Sequence, residues 1–396
     1  MLTQSPQITA LTYCSLPYAG VGWPQSCVSI LAGFSGTPVA PTLVLPRSRV
    51  ALPRGIEPEY ALGQPLANLP WRLVSKVAKS RLDDRFARLL DQAEPSRTVA
   101  YFWPGAPLHL VEQAKARGIL TVREMINTAQ AAAKPILDDA YARLGLRPRH
   151  TITDAAIAGE GRELELYDLI FASNTPCEAS LQALGIAADR IVATSFGWSP
   201  ARLGQPAPVR TSSAVTRFLF VGSLSVRKGI PELVEAWRTL ATNAVLTLVG
   251  NVEPALEPMI SAAAAAGTIE VLPFTRDIGA LYRRHDVFVF PTLEEGGPQV
   301  TIEAGGCGLP VITTPMGAAR LVRNGVNGIV VPAGAVEPLR DAIATLAENA
   351  PLRQQYGRRI IVDAQAFTYD KLGAQRAAAC LAGLERRNQP ELASHG

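Results

Sequence analysis

The sequence predicts an α/β protein made of two doubly wound parallel-sheet domains that face each other across a cleft. Three observations carry this. Short apolar runs without alternation recur from end to end, separated by longer segments with helical spacing of apolar residues. Such runs read as strands covered on both faces by crossover helices. The alternation stops once, over 199–215 (SPARLGQPAPVRTSSAV), and then restarts. At 396 residues, with 48% hydrophobic and 18% charged residues, the chain is long enough for two domains and too apolar to be disordered.

In the first domain, segments 8–13, 41–45, 98–102, 119–122, 169–172 and 190–193 read as short buried strands. Helical patterns cover 71–91, 108–117 and 128–144; in the first of these Leu73, Val77, Leu82, Phe86 and Leu89 repeat at helical spacing and are expected to face the core. The proline-containing polar stretch reads as a linker. Beyond it, strands are expected at 218–221, 245–249, 269–272, 287–290, 311–313 and 329–331, with helices at 231–240, 254–266, 299–307 and 336–347. The expected division is a first domain over 1–200, a linker over 201–215 and a second domain over 216–369, with a last helix, 370–388, returning to the first domain.

Composition excludes several classes. Lys+Arg minus Asp+Glu is 38 − 34, or +4, which is no nucleic-acid footprint and allows only a mild attraction to anionic ligands or lipid. The five cysteines, at 14, 27, 177, 307 and 380, form no CxxC pair, so reduced thiols in a cytoplasmic setting are expected. The histidines at 109, 150, 285 and 395 show no metal-ligand spacing, so no metal is expected. No basic-then-apolar leader and no apolar run of membrane-spanning length stands in the sequence, so membrane contact is expected to be peripheral at most.

Two stretches carry the chemistry. In 286–314, DVFVFPTLEEGGPQVTIEAGGCGLPVITT, a strand leads through a glycine-containing loop into a helix. Glu295 lies in the loop and Glu303 one turn into the helix, so both can face the carboxyl edge of a sheet. The N–H groups of Gly296 and Gly297 beside a helix start suit an anion, and a carboxylate can accept from two vicinal hydroxyls. In 218–230, FLFVGSLSVRKGI, a strand ends before Gly222 and Ser223, and Arg227 and Lys228 close the loop. Two cations near a helix start can neutralise a diphosphate. Taken singly, the carboxylates read equally as solvated charges and the cations as a surface pair; both loops leaving one sheet edge favours a site.

Together these stretches resemble the family 4 retaining glycosyltransferases of the GT-B architecture. Glu295 and Glu303 fall on that family's Glu-x7-Glu motif, and Lys228 on the lysine of its donor-phosphate loop, with further echoes in 286–291, 181–197 and RNGVNGIVV at 323–331. The resemblance is strong over about 216–365 and weak before 170. It implies two Rossmann-like domains clasping a nucleoside-diphosphate sugar as donor substrate, without metal or other cofactor. Glu295 would hold sugar hydroxyls and Glu303 the ribose. Arg227 and Lys228 would hold the diphosphate, and the amides of Gly222, Ser223, Gly296 and Gly297 phosphate or sugar oxygens. It implies retention of anomeric configuration, polysaccharide-type biosynthesis, and a glycan, lipid-linked or small-molecule acceptor, with no nucleic acid as partner. A nucleotide-sugar epimerase, a phosphorylase and a non-catalytic sugar-binding subunit on the same architecture stay as alternatives. Four features depart from the family: Ser223 replaces an arginine, Pro298 removes an amide donor, Arg320 replaces an acid, and Trp103 and Pro104 stand where a histidine is common. On the acceptor side, the CSLPYAGVGW loop at 14–23 supplies Gly20 and Gly22. Arg123 and Glu124 end a strand and are expected to face the cleft, and Tyr101 and Trp103 are expected to form an aromatic floor; ordinary packing is the alternative for these.

Overall fold

The computed structural model describes residues 8–204 and 215–388. The first sheet holds β1 (Ile8–Tyr13), β2 (Val39–Leu45), β3 (Glu57–Tyr60), β4 (Thr98–Phe102), β5 (Leu120–Glu124), β6 (Leu169–Ala172) and β7 (Ile191–Ala193). Their order is β3-β2-β1-β4-β5-β6-β7 and every pairing is parallel. The second sheet holds β8 (Thr216–Val221), β9 (Ala244–Val249), β10 (Ile269–Leu272), β11 (Val287–Phe290), β12 (Val311–Thr313) and β13 (Gly328–Val330), in the order β10-β9-β8-β11-β12-β13, again parallel. Central strands such as β4, β6 and β11 are buried along their whole length, which is why they read as unbroken apolar runs. The expected fold class, two parallel-sheet Rossmann-like halves, is the one observed.

Several elements differ from expectation. Strand β3, EPEY, has no apolar run because it is a short, largely exposed edge, where Pro58 and two glutamates are tolerated. The helices Trp23–Ala32, Asp154–Leu164, Ile278–Arg284 and Ala350–Ala364 were not expected. Helix Trp71–Gln92 buries Val74, Ala78, Leu82, Phe86 and Leu90, so Leu73 and Val77 are not core residues. The start of this helix fixes its rotation. The Arg47 guanidinium sits 5.5 Å over the Trp71 ring and donates to the carbonyls of Ala67 at 2.7 Å and Leu69 at 2.6 Å. Trp71 then packs with Leu62, Val74 and Ala78, which turns Leu73 outward. Within the expected linker, Pro200–Leu203 forms a helical turn capped by the Ser199 hydroxyl; 205–214 lie outside the described residues.

The last helix, Tyr369–Asn388, packs on the first domain against Trp23–Ala32, and a Cβ on either Gly33 or Gly373 would strike the other helix's backbone. From this helix, fully buried Arg376 holds fully buried Glu124 through two bonds of 2.7 and 2.9 Å, while the Tyr101 hydroxyl donates to the same carboxylate. Glu124 therefore does not face the cleft: as the last residue of β5 it points under the returning helix. The chain crosses between domains twice, and the crossings touch. Trp198 N–H donates to the Phe367 carbonyl at 3.0 Å, Tyr369 N–H to the Trp198 carbonyl at 3.2 Å, and the Trp198 indole to the Ala364 carbonyl at 2.9 Å.

Breaking a buried ion pair from one side leaves an uncompensated charge, at a cost of about 3–5 kcal/mol. Glu124→Ala should lose stability of that order in urea unfolding followed by tryptophan fluorescence. The double variant Glu124→Met/Arg376→Met should recover most of it. Equal losses in the single and double variants would show that packing, not charge, holds the helix.

Candidate active site

In both sheets the strand order reverses beside the first strand, between β1 and β4 and between β8 and β11. Loops leaving the carboxyl ends of strands at such a reversal diverge to opposite faces and leave a crevice between them. The Gly20–Gly22 loop follows β1, Trp103 follows β4, the Gly222–Gly229 loop follows β8, and Glu294–Gly297 follow β11. The motifs singled out in the sequence thus leave the two reversal points.

The β8 and β11 loops are clamped together. Gly229 is left-handed (φ 70°), and a Cβ there would collide with the Pro291 carbonyl, so only glycine fits. Leu293 N–H donates to the Arg227 carbonyl at 2.9 Å, and the Thr292 hydroxyl donates to it at 3.3 Å. This registers two successive cations against two successive carboxylates. Arg227 Nη1 lies 3.1 Å from Glu294 Oε2, and Lys228 Nζ pairs with Glu295 Oε2. Lys228 also lies 5.2 Å over the Phe290 ring. Burial pushes the Lys228 ammonium well below the usual lysine range, Arg227 adds to this, and Glu294 opposes it. The second oxygen of Glu294 accepts from the Thr128 hydroxyl at 2.8 Å and its N–H at 3.3 Å, tying the pair to the first domain.

Glu303 stands on helix Gln299–Gly306. Its carboxylate accepts from Gln299 Nε2 at 2.7 Å, Arg202 Nη1 at 3.0 Å and the Tyr282 hydroxyl at 3.2 Å. Burial raises its pKa, and these three donors work against that rise, Arg202 most strongly. A cavity of about 450 Å³ opens between the domains in front of it, walled by Gly20 and Gly22 on one side and by Gly222, Ser223, Gly250 and Glu303 on the other. Phe274, 60% exposed, and Arg276 stand at its edge.

The remaining residues singled out in the sequence lie elsewhere. Trp103 is fully buried and stacks on Trp23 at 5.8 Å, so it is no open floor. Arg123 pairs with Glu163 at 3.2 Å and, with Asn127, Thr128, Glu160 and Glu294, lines a separate cavity of about 350 Å³. Gly296 and Gly297 form the boundary between domains rather than an open anion site. A Cβ on Gly296 would strike the Asn127 backbone, one on Gly297 the Phe196 ring, and Ser173 Oγ donates to the Gly296 carbonyl.

Sequence reasoning missed Arg202, Tyr282, Glu294 and the role of Arg320. Arg202 sat in a stretch read as linker, and Glu294 was hidden beside the motif glutamate. Arg320 and its neighbour Ala319 hold left-handed backbone at φ 58° and 55°, a strained conformation for residues with a Cβ. The Arg320 side chain crosses to the first domain, where it donates to the Thr194 carbonyl at 2.7 Å and the Ala172 carbonyl at 3.2 Å and pairs with Glu178. The arginine that departs from the family pattern is thus an interdomain clamp, and that departure was its signal.

Since the domains touch at Gly297, Gly297→Val should drive Phe196 and the 294–297 loop apart. Small-angle scattering should show a larger radius of gyration than in the parent protein. An unchanged radius with unchanged thermal stability would rule the contact out.

Residues 215–349 match the family model described as glycosyl transferases group 1. The capsular polysaccharide biosynthesis glycosyltransferase CapM of Staphylococcus aureus is 31% identical over 147 residues, 35% of this chain and 38% of that protein. A D-inositol 3-phosphate glycosyltransferase of Arthrobacter sp. (strain FB24) is 29% identical over 188 residues, 44% of this chain and 43% of that protein. The matched segment thus spans less than half the length of either relative. Among solved structures, sucrose-phosphate synthase from Thermosynechococcus elongatus superposes with a TM-score of 0.74 at 16% identity, covering 96% of this chain and all of that one. WaaG, a glycosyltransferase involved in lipopolysaccharide biosynthesis, gives 0.67 at 17% identity, over 94% of this chain and 99% of that one. Anabaena HepE in complex with UDP and glucose gives 0.66 at 16% identity, over 95% and 100%. At these identities the likeness is one of fold, the GT-B arrangement of two facing parallel sheets. Residues 215–349 thus match the group 1 glycosyltransferase model within a chain that has the two-domain GT-B fold.

Proposed function

We propose that this protein is a metal-independent, retaining glycosyltransferase of family 4. It would move a sugar from a nucleoside-diphosphate sugar to a hydroxyl of a glycan, lipid-linked or small-molecule acceptor. The observation that carries the reading is the cavity in which Gly222, Ser223 and Glu303 of the group 1 domain face the Gly20–Gly22 loop of the first domain. The relatives favour the same reading: CapM by its name serves capsular polysaccharide biosynthesis, and HepE binds UDP and UDP-glucose.

Glu303 is oriented by the protein itself. Arg202, Gln299 and Tyr282 hold one carboxylate geometry and fill three of its roughly four acceptor sites, leaving one on Oε2 for a ribose hydroxyl. Phe274 and Arg276 at the cavity edge suit the base. The diphosphate runs past Gly222 and Ser223 toward Arg227 and Lys228. To reach them it takes over the cations from Glu294 and Glu295. Glu295, released beside the anomeric centre, accepts hydrogen bonds from sugar hydroxyls. As the bond from the anomeric carbon to the phosphate oxygen breaks, the acceptor oxygen bonds on the same face and its proton passes to the departing phosphate. Arg227 and Lys228 stabilise the charge that grows there.

Nucleoside-diphosphate release from a panel of UDP-, GDP- and ADP-sugars, with and without acceptor extract, tests the reading. Release should need acceptor and survive EDTA. Release without acceptor would favour the epimerase alternative, and strict Mg²⁺ dependence would refute the metal-free mechanism. A charged hydrogen bond is worth about 1.5–3 kcal/mol, so Glu295→Ala should cost at least about tenfold in turnover while calorimetric affinity for the free nucleoside diphosphate is not weakened, since Lys228 loses a competing partner. Arg227→Ala/Lys228→Ala should do the reverse, weakening that affinity first. Unchanged affinity in the double variant would place the phosphates elsewhere.

A further inference from the structure

Helix Trp71–Gln92 turns outward side chains that its sequence periodicity assigns to a core. Leu73 is 66% exposed and Val77 46%, and Leu69, just before the helix, is 40% exposed. Leu73 and Val77, four apart in the helix, share one face, and Leu69 stands in the extended segment that leads into it. Basic side chains flank them: Arg72, Lys76, Lys79 and Arg81 are all exposed. Between residues 61 and 82 the sequence holds these four cations and no Asp or Glu. Among the described residues none of the four pairs with a carboxylate, although the same helix pairs Arg85 with Glu59. Arg47 anchors the start of this face through the Leu69 carbonyl and the Trp71 ring.

Apolar side chains ringed by unpaired cations, with no acid among them, complement one partner: an interface that is apolar beneath an anionic surface. We propose that this face docks peripherally on an anionic lipid membrane, Leu69, Leu73 and Val77 entering the interface and the four basic residues meeting lipid phosphates. Among the described residues no helix is long and apolar enough to cross a membrane, so contact through these residues is interfacial. The placement suits such contact. The helix follows edge strand β3 and returns to β4, so its basic-apolar start lies at the carboxyl edge of the first sheet, the edge that borders the cleft. The inference rests on this surface alone and holds whatever the donor or acceptor.

The full chain should co-sediment with vesicles of equal parts phosphatidylglycerol and phosphatidylcholine and not with phosphatidylcholine alone. Binding should fall as salt approaches 1 M, where the screening length is about 3 Å. Each basic residue at an anionic surface contributes roughly fivefold to partitioning, so Lys76→Glu/Lys79→Glu should weaken sedimentation by more than tenfold. Leu73→Glu/Val77→Glu should do likewise, with thermal melts like the parent's because all four positions are exposed. Absence of binding to anionic vesicles, or binding unaltered in both variants, would overturn the proposal. Concentration-dependent self-association abolished by Leu73→Glu, in a protein that ignores vesicles, would also overturn it and assign the face to a second copy of the chain.

Discussion

Arg227 and Lys228 leave the 225–229 turn side by side and meet Glu294 and Glu295, which leave β11 side by side. Lys228, Glu294 and Glu295 lie where solvent is largely excluded while the Arg227 side chain is 33% exposed, and each buried charge is tolerated because its partner is in place. The register between them comes from the backbone, through Leu293 N–H on the Arg227 carbonyl and the glycine at 229 that lets the strands' ends approach. Much else follows from this arrangement. Glu294 is shared between Arg227 and Thr128, so neutralising the cations also joins the two domains. A dianionic ligand entering here exchanges one set of counter-charges for another rather than filling an empty anion hole, and every interdomain bond through Glu294 is at stake in that exchange.

The domains are in close contact. Gly296 and Gly297 press on Asn127 and Phe196, Arg320 reaches the carboxyl ends of β6 and β7, and Arg202 holds Glu303. The Arg320 and Arg202 contacts are polar, and bonds of this sort are each worth only about 0.5–3 kcal/mol. They suit a hinge that opens to exchange ligands better than a permanently fused core.

The architecture was legible because strands buried on both faces leave unbroken apolar runs, as in VFVF at β11 and LIFA at β6. What escaped was whatever obeys another rule. Strand β3 is an edge and carries EPEY. In helix Trp71–Gln92 the apolar pattern is broader than the buried stripe, so periodicity could not choose between Leu73 and Val74 until Arg47 and Trp71 fixed the rotation. At the site, residues on one loop were readable from their spacing, since Glu295 and Glu303 are neighbours in sequence. Partners contributed from far away were not: Arg202 and Tyr282 come to Glu303 only through the folded chain, and Glu124 looks cleft-facing until Arg376, 252 residues later, is seen to cover it.

The returning C-terminal helix gives the chain an architecture in which sequence order and domain order differ. Glu124, Tyr101 and Thr194 of the first domain share their buried charge network with Arg376, and Gly33 is cut to the profile of Gly373. The natural modules are therefore a discontinuous unit of 8–198 together with 369–388, and an inserted unit between them. A chimera that exchanged the first domain alone at the 205–214 junction would import a glutamate with no arginine above it. Recombination that preserves both crossings at Trp198 and Thr368 would carry the whole network, so an interchangeable first half must be moved as two segments of sequence.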